Sequence, residues 1–202
     1  MAKPSWLKST PTTGSGNGTI SNSADPHTGR VARTGTVTVN GVGVKTPSTY
    51  KVTQEAKAEY VSFDNGAEMS APKTAGKVTV AGKTNSSKLT FSFSGETFEV
   101  TLPSKFNAAG VSTDNGVAIS GDPGAAAEFA FSIQLDFPLN DTIEEVDRTL
   151  VVTANGGQAD QIVIKQAAGD ARLSVTPTEI TIPQAGTAVS VSVASNTSWT
   201  VA

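Results

Sequence analysis

The 202-residue chain has no cysteine, one histidine, two tryptophans and two tyrosines. Without cysteine there is no disulfide framework and no thiolate nucleophile, and the composition says nothing about the redox state of the compartment. The single histidine, His27 in Asp25-Pro26-His27-Thr28-Gly29, has no second histidine with which to form a metal set or nucleophilic pair; it reads as an exposed loop residue. Long apolar runs are absent too. No stretch approaches the roughly 18 residues of a membrane span. Only 16% of residues are charged and the net charge is -3, too little positive charge to recruit nucleic acid. Neither a membrane nor a nucleic-acid partner is expected. The opening residues Met1-Ala2-Lys3-Pro4-Ser5-Trp6-Leu7 show no charged region, apolar run or cleavage site of a secretory leader. With Met1 as the natural start, the protein is expected to be made and kept in the cytosol unless it leaves in an assembled particle.

Enzyme chemistry is equally sparse. No serine sits in a G-x-S-x-G elbow, and no glycine-rich loop runs into the Lys-Ser/Thr of a phosphate loop. The oxygen-bearing cluster Asp136, Asn140, Asp141, Glu144, Glu145 and Asp147 matches no EF-hand spacing and reads as a solvated loop. Nothing indicates two carboxylates facing each other across a sugar cleft. The expectation is a non-enzymatic protein with no catalytic residues, cofactor or metal.

Alternation and repetition are what the chain does have. The run Arg33-Thr34-Gly35-Thr36-Val37-Thr38-Val39-Asn40, followed by Gln54-Glu55-Ala56, returns as Arg148-Thr149-Leu150-Val151-Val152-Thr153-Ala154-Asn155, followed by Gln166-Ala167-Ala168. Pro72, Gly76, Val78, Val80 and Asn85-Ser86-Ser87 return as Pro183, Gly186, Val189, Val191 and Asn196-Thr197-Ser198. The first pattern marks the end of a unit and the second its beginning. Residues 1–56 therefore read as the C-terminal half of a unit, 57–170 as a complete unit and 171–202 as the N-terminal half of a further one. A repeat of about 110 residues suits an immunoglobulin-sized β-sandwich.

Period-two runs separated by turn chemistry predict strands at 35–39, 48–53, 77–80, 88–93, 97–102, 117–120, 128–135, 149–153, 161–165, 179–182 and 188–194. In the last run Val189, Val191 and Val193 share one face and the serines the other. Ala125-Ala126-Ala127-Glu128 is the one place where a short helical turn could begin. The junctions, 56–60 and 168–172, are short. Five extended residues reach at most about 17 Å, less than the length of a sandwich, on the order of 20 Å. With the first and last strands of the central unit running to opposite poles, the two terminal halves are expected not to meet within one chain.

Residues Ser5 to Gly18, then Arg33 to Val39 and Val52-Thr53-Gln54, resemble the second half of a BACON domain (Bacteroidetes-associated carbohydrate-binding, often N-terminal). Leu173-Ser174-Val175-Thr176-Pro177 through Ser195-Asn196-Thr197-Ser198-Trp199-Thr200-Val201 resemble its first half. The central unit is similar more loosely: Pro72, Gly76, Asn85, Arg148 and Gln166 are present, Lys88 stands where the last segment has Trp199, and 98–140 departs from the pattern. The resemblance implies tandem immunoglobulin-like β-sandwiches, one complete and two partial. It further implies a structural role in the virion of a crAss-like gut bacteriophage, as an auxiliary capsid, decoration or fibre-associated protein contacting other virion proteins and neighbouring copies of itself. The alternative it carries is a carbohydrate-binding or spacer module at a Bacteroidetes cell surface.

For glycan stacking, with a host glycan as partner, the candidates are Trp6 and Trp199, although aromatic residues in sandwiches more often fill cores and boundaries. The N-x-S/T matches at Asn17, Asn85, Asn140 and Asn196 matter only where glycosylation operates. The assembly reading points to Val37, Val39, Val189, Val191 and Val193, strand valines of half-units whose edges invite another polypeptide.

Overall fold

A computed structural model describes residues 3–95 and 100–202, and the chain is all-β. The strands are β1 Leu7–Thr10, β2 Ser21–Ala24, β3 Arg33–Val39, β4 Ser48–Gln54, β5 Val61–Phe63, β6 Glu68–Ala71, β7 Gly76–Thr84, β8 Leu89–Ser94, β9 Lys105–Ala108, β10 Val111–Asp114, β11 Phe129–Phe137, β12 Val146–Ala154, β13 Ala159–Gln166, β14 Leu173–Thr176 and β15 Ser192–Ser195. Among the described residues the only helical element is a 3₁₀ turn at Pro123–Ala125, and no helix is long and apolar enough to cross a membrane.

The central residues form a sandwich of two sheets. One has the order β10-β9-β11-β7-β5 and the other β6-β13-β12-β8. Alternation builds the core between them: Arg148, Leu150, Val152 and Ala154 of β12 turn inward, as do Phe131, Ile133, Leu135 and Phe137 of β11. A glycine at position 82 makes room for an aromatic cluster. A Cβ there would lie 2.4 Å from Phe131, whose ring meets Phe63 at 6.0 Å and Phe91 at 5.8 Å, with Phe106 a further 5.0 Å from Phe91. Each fully buried Leu, Ile or Phe contributes about 1.5–3 kcal/mol relative to exposure, so this unit carries most of the chain's apolar stabilisation.

The terminal segments are thinner. In the first, the hairpins β1–β2 and β3–β4 cover one another, with Leu7 and Val37 buried between them and Asn22 Oδ1 accepting hydrogen bonds from Ser9 and Tyr50. In the last, β14 and β15 form a two-stranded ribbon.

Several expectations need correction. Residues 117–120 form no strand: Ala118 makes one bridge to Lys88, and the turn Asp122 N–H to Ile119 C=O directs the chain so that Ile119 plugs the core. Residues 179–182 are not paired, and of the run 188–194 only 192–194 lies in a ladder, because no neighbouring backbone runs beside 179–191. Half of the predicted strand 97–102, residues 97–99, falls outside the described residues; its remainder buries Val100 and bridges Thr101 to Asp136. The helical turn begins two residues before the alanine run, after Asp122 with φ 41°.

The first sequence repeat is also displaced by one pleat. Arg33 lies opposite Gln54, whereas Gln166 lies opposite Val146 and Arg148 opposite Ile164. Val37 therefore corresponds in place to Leu150 and Val39 to Val152. A shift of two residues keeps the same side chains inward, so the sequence match could slip without disturbing the alternation.

Candidate functional site

The second sequence repeat leads to a pair of polar joints, one at each end of the central sandwich. Strand β7 runs between them: Thr84 at its end pairs with Phe129 and Gly76 at its start with Phe137. Just past Thr84 lies Asn85, fully buried. Its Oδ1 accepts the Tyr60 N–H at 3.0 Å, while Nδ2 donates to the carbonyls of Ala58 at 3.1 Å and Thr28 at 3.2 Å. At the other joint Asn196 does the same: Oδ1 accepts the Arg172 N–H at 2.9 Å, and Nδ2 donates to the carbonyls of Asp170 at 2.8 Å and Asp141 at 2.9 Å.

The neighbours repeat as well. Thr84 Oγ1 donates to the Tyr60 carbonyl at 2.7 Å and accepts the Ser86 N–H at 2.9 Å; Ser195 Oγ lies 3.0 Å from the Arg172 carbonyl and accepts the Thr197 N–H at 3.0 Å. The linkers close similarly, Lys57 N–H on Gly29 C=O at 2.9 Å and Gly169 N–H on Thr142 C=O at 2.7 Å. One amide thus ties three backbone stretches: Tyr60, Ala58 and Thr28 at the first joint, and Arg172, Asp170 and Asp141 at the second. An amide suits this task because it presents an acceptor and two donors in one plane.

Close backbone approach requires glycine at the first joint. A Cβ at Gly29 would lie 2.4 Å from the Ala126 backbone, and one at Gly124 only 2.0 Å from the Asn85 carbonyl oxygen. Arg30 N–H and Val31 N–H donate to the carbonyls of Gly124 and Ala125, both at 3.0 Å, and the Arg30 guanidinium reaches Asp122 and the Asn85 carbonyl. Tyr60, Glu128 and Lys57 flank this seam: the Tyr60 hydroxyl donates to Glu128, and Lys57 Nζ sits 3.7 Å from the Tyr60 ring centroid. Burial, then the Glu128 bond, raises the Tyr60 pKa, and the same bond lowers that of Glu128.

The second joint uses the acidic stretch. Asn140 is buried, donating to the carbonyls of Glu144 and Ala167 and accepting from Thr142. Asp141 forms a two-pronged pair with Arg172, whose hydrogen bonds hold the carboxyl below the usual carboxylate range despite the opposing effect of desolvation. Asp136 pairs instead with Lys77 at 2.8 Å on the outer sheet face. Among the described residues no three His, Cys, Asp or Glu side chains converge as metal ligands would.

The remaining candidates lie elsewhere. Trp6 is half-buried, with the Arg33 guanidinium 4.7 Å from its ring centroid, whereas Trp199 is half-exposed in the last segment; they do not share a cleft. His27 is half-buried rather than exposed, its Nε2 lying 2.8 Å from the Val31 carbonyl within the first joint's loop. Asn85 and Asn140 are too buried to carry a glycan in the folded chain. Of the assembly valines, Val37 is buried, Val193 half-buried opposite Val175, and Val39, Val189 and Val191 exposed. Val37 and Val39, with Ile20, line an open groove of about 770 Å³ in the first segment. The sequence marks the joints only through the Asn-Ser-Ser and Asn-Thr-Ser runs, whose asparagines lie 25 and 24 residues after the linker residues they bind.

No protein-family model matches the sequence, and no curated protein matches it.

Proposed function

We propose that the chain is a non-enzymatic structural protein whose immunoglobulin-like sandwiches are coupled by stereotyped joints. The observation that carries this is the duplicated joint, in which Asn85 and Asn196 make equivalent bonds. Buried polar groups are costly unless satisfied, and here they are spent on geometry between units: Thr84, Asn85 and Ser86 gather at one joint, Asn140 and Gln166 at the other. Such joints set the angle between successive units, as a spacer or shell component requires.

The immunoglobulin-like reading is supported by strand order. Strands β5, β7, β11 and β9 follow the A-B-E-D order of one sheet, and β13, β12 and β8 the G-F-C order of the other. Strand β6, which pairs in parallel with β13, extends the second sheet.

The setting comes from the BACON resemblance: a virion of a crAss-like gut phage, with the protein as a capsid-decorating or fibre-associated component made in the host cytoplasm. Mass spectrometry of purified particles, with stoichiometry against the major capsid protein, tests this directly. Copies present at a fixed ratio and resistant to washing support it; absence from the particles overturns it. The second reading, a glycan-binding or spacer module at a bacterial surface, is favoured by the half-exposed Trp199 indole. A glycan titration signal that is lost in Trp199→Ala would favour that reading.

A further inference from the structure

The central sandwich shows how the two terminal segments fit each other. Its β5–β7 pairing, Val61 opposite Thr84 and Phe63 opposite Gly82, is reproduced by Leu173 opposite Ser195 and Val175 opposite Val193 in β14–β15. Its β12–β13 pairing is reproduced by β3–β4. The strand position of β11 is taken by β2, which runs antiparallel to β1 as Asp136 does to Thr101. The first segment thus holds the counterparts of β11, β12 and β13, and the last segment those of β5 and β7, with 179–182, just before Pro183, in the place that β6 takes before Pro72.

In the central unit these two sets are joined along two edges. Strand β11 pairs with β7, Ile133 opposite Val80 and Leu135 opposite Val78, and β13 pairs with β6 in parallel, Ile164 opposite Met69. In the terminal segments both edges are open: β2 pairs only with β1, β4 only with β3, and β15 only with β14. The consequence shows in exposure. Ile133 and Val80 are 1% and 0% exposed, while Ile20 and Val191, which occupy the same places, are 39% and 38% exposed.

Polar groups tell the same story. Gln166 Nε2 lies within reach of two carbonyls, Pro138 at 2.7 Å and Pro72 at 3.3 Å. Its counterpart Gln54 reaches the equivalent of the first, Asp25 at 2.8 Å. The equivalent of the second is Pro183, on the last segment.

One chain cannot close this circuit on itself. The first segment docks where β7 ends and the last where it begins, and β7 is nine residues long, about 30 Å. We propose that residues 179–195 of a second copy fill the groove beside Val37, Val39 and Ile20, adding an antiparallel strand to β2 and a parallel one to β4. Ile20 then lies opposite Val191 and Asn22 opposite Val189, while Val52 faces Ile180 and Gln54 reaches Pro183. Charge favours the arrangement. Residues 1–56 carry six Lys and Arg against two acidic groups, whereas residues 57–170 carry eight against fifteen. Because each copy offers one groove and one insert, association is head-to-tail and propagates or closes into a ring.

The proposal rests on the reading of the chain as an assembly module, and the test uses the purified 202-residue protein alone. Sedimentation at micromolar concentration should show a series of dimers and larger species, and Val191→Asp should weaken association by at least about tenfold while leaving the far-ultraviolet spectrum unchanged. Because the chain has no cysteine, Ile20→Cys and Val191→Cys proteins mixed under oxidising conditions should form a cross-linked heterodimer in excess over either homodimer. A chain that stays monomeric, a Val191→Asp variant that associates as tightly as the parent, or random cross-linking overturns the proposal. A monomeric chain found in virions overturns self-completion alone; a self-associating chain absent from virions overturns the virion assignment alone.

Discussion

Asn85 and Asn196 hold the same arrangement at successive joints, each accepting one linker N–H and donating to two carbonyls of the chain before it. An arrangement repeated to the level of single hydrogen bonds makes the joint a unit of construction, and each of its parts has a measurable weight.

Asn85→Ala leaves the Tyr60 N–H and the Thr28 and Ala58 carbonyls without their partner in a buried place. Stranding such groups costs about 1–3 kcal/mol, so the denaturation midpoint should fall and small-angle scattering should report a wider distribution of angles at the first joint. Gly124→Ala should do comparable damage by overpacking, about 1–3 kcal/mol, since its Cβ would meet the Asn85 carbonyl at 2.0 Å. Joint angles and stability unaffected by both variants would show the bonds to be incidental.

Acid should release the last segment first. The folded-state pKa of Asp141 is depressed by Arg172, so the pair's contribution is present above the ordinary carboxylate pKa and is lost as pH falls through the lower folded value. Amide exchange at Arg172 and Asn196 is expected to quicken over that window, below the ordinary aspartate pKa of 3.8, before the central core opens. In Asp141→Asn the pH dependence of these amides should flatten.

Trp6 is engaged by its own chain. The Arg33 guanidinium over its ring is worth about 0.5–2 kcal/mol, and the same side chain donates to Gln54 Oε1 at 2.9 Å. Arg33→Ala should therefore destabilise the first segment and shift Trp6 fluorescence to the red. A glycan signal dependent on Trp6 but indifferent to Arg33 would contradict this account.

The sequence by itself determined the all-β class, because period-two alternation such as Leu150, Val152 and Ala154 survives any choice of neighbour. It also located the joints' linkers through its repeats. It could not reveal β1, β2, β5, β6, β9, β10 or β14: strands of three or four residues, some as polar as Ser21-Asn22-Ser23-Ala24, are too short to show a period and are extended because a neighbour pairs with them. For the same reason 179–191 alternates without forming a ladder, since strand pairing needs a second backbone and alternation does not supply one. Only the tertiary structure decided that Arg148 sits one pleat away from the place of Arg33, that Asn85 is a buried tie and that Trp6 lies under a guanidinium. Each depends on contacts between residues far apart in the chain, and local sequence carries no record of that distance.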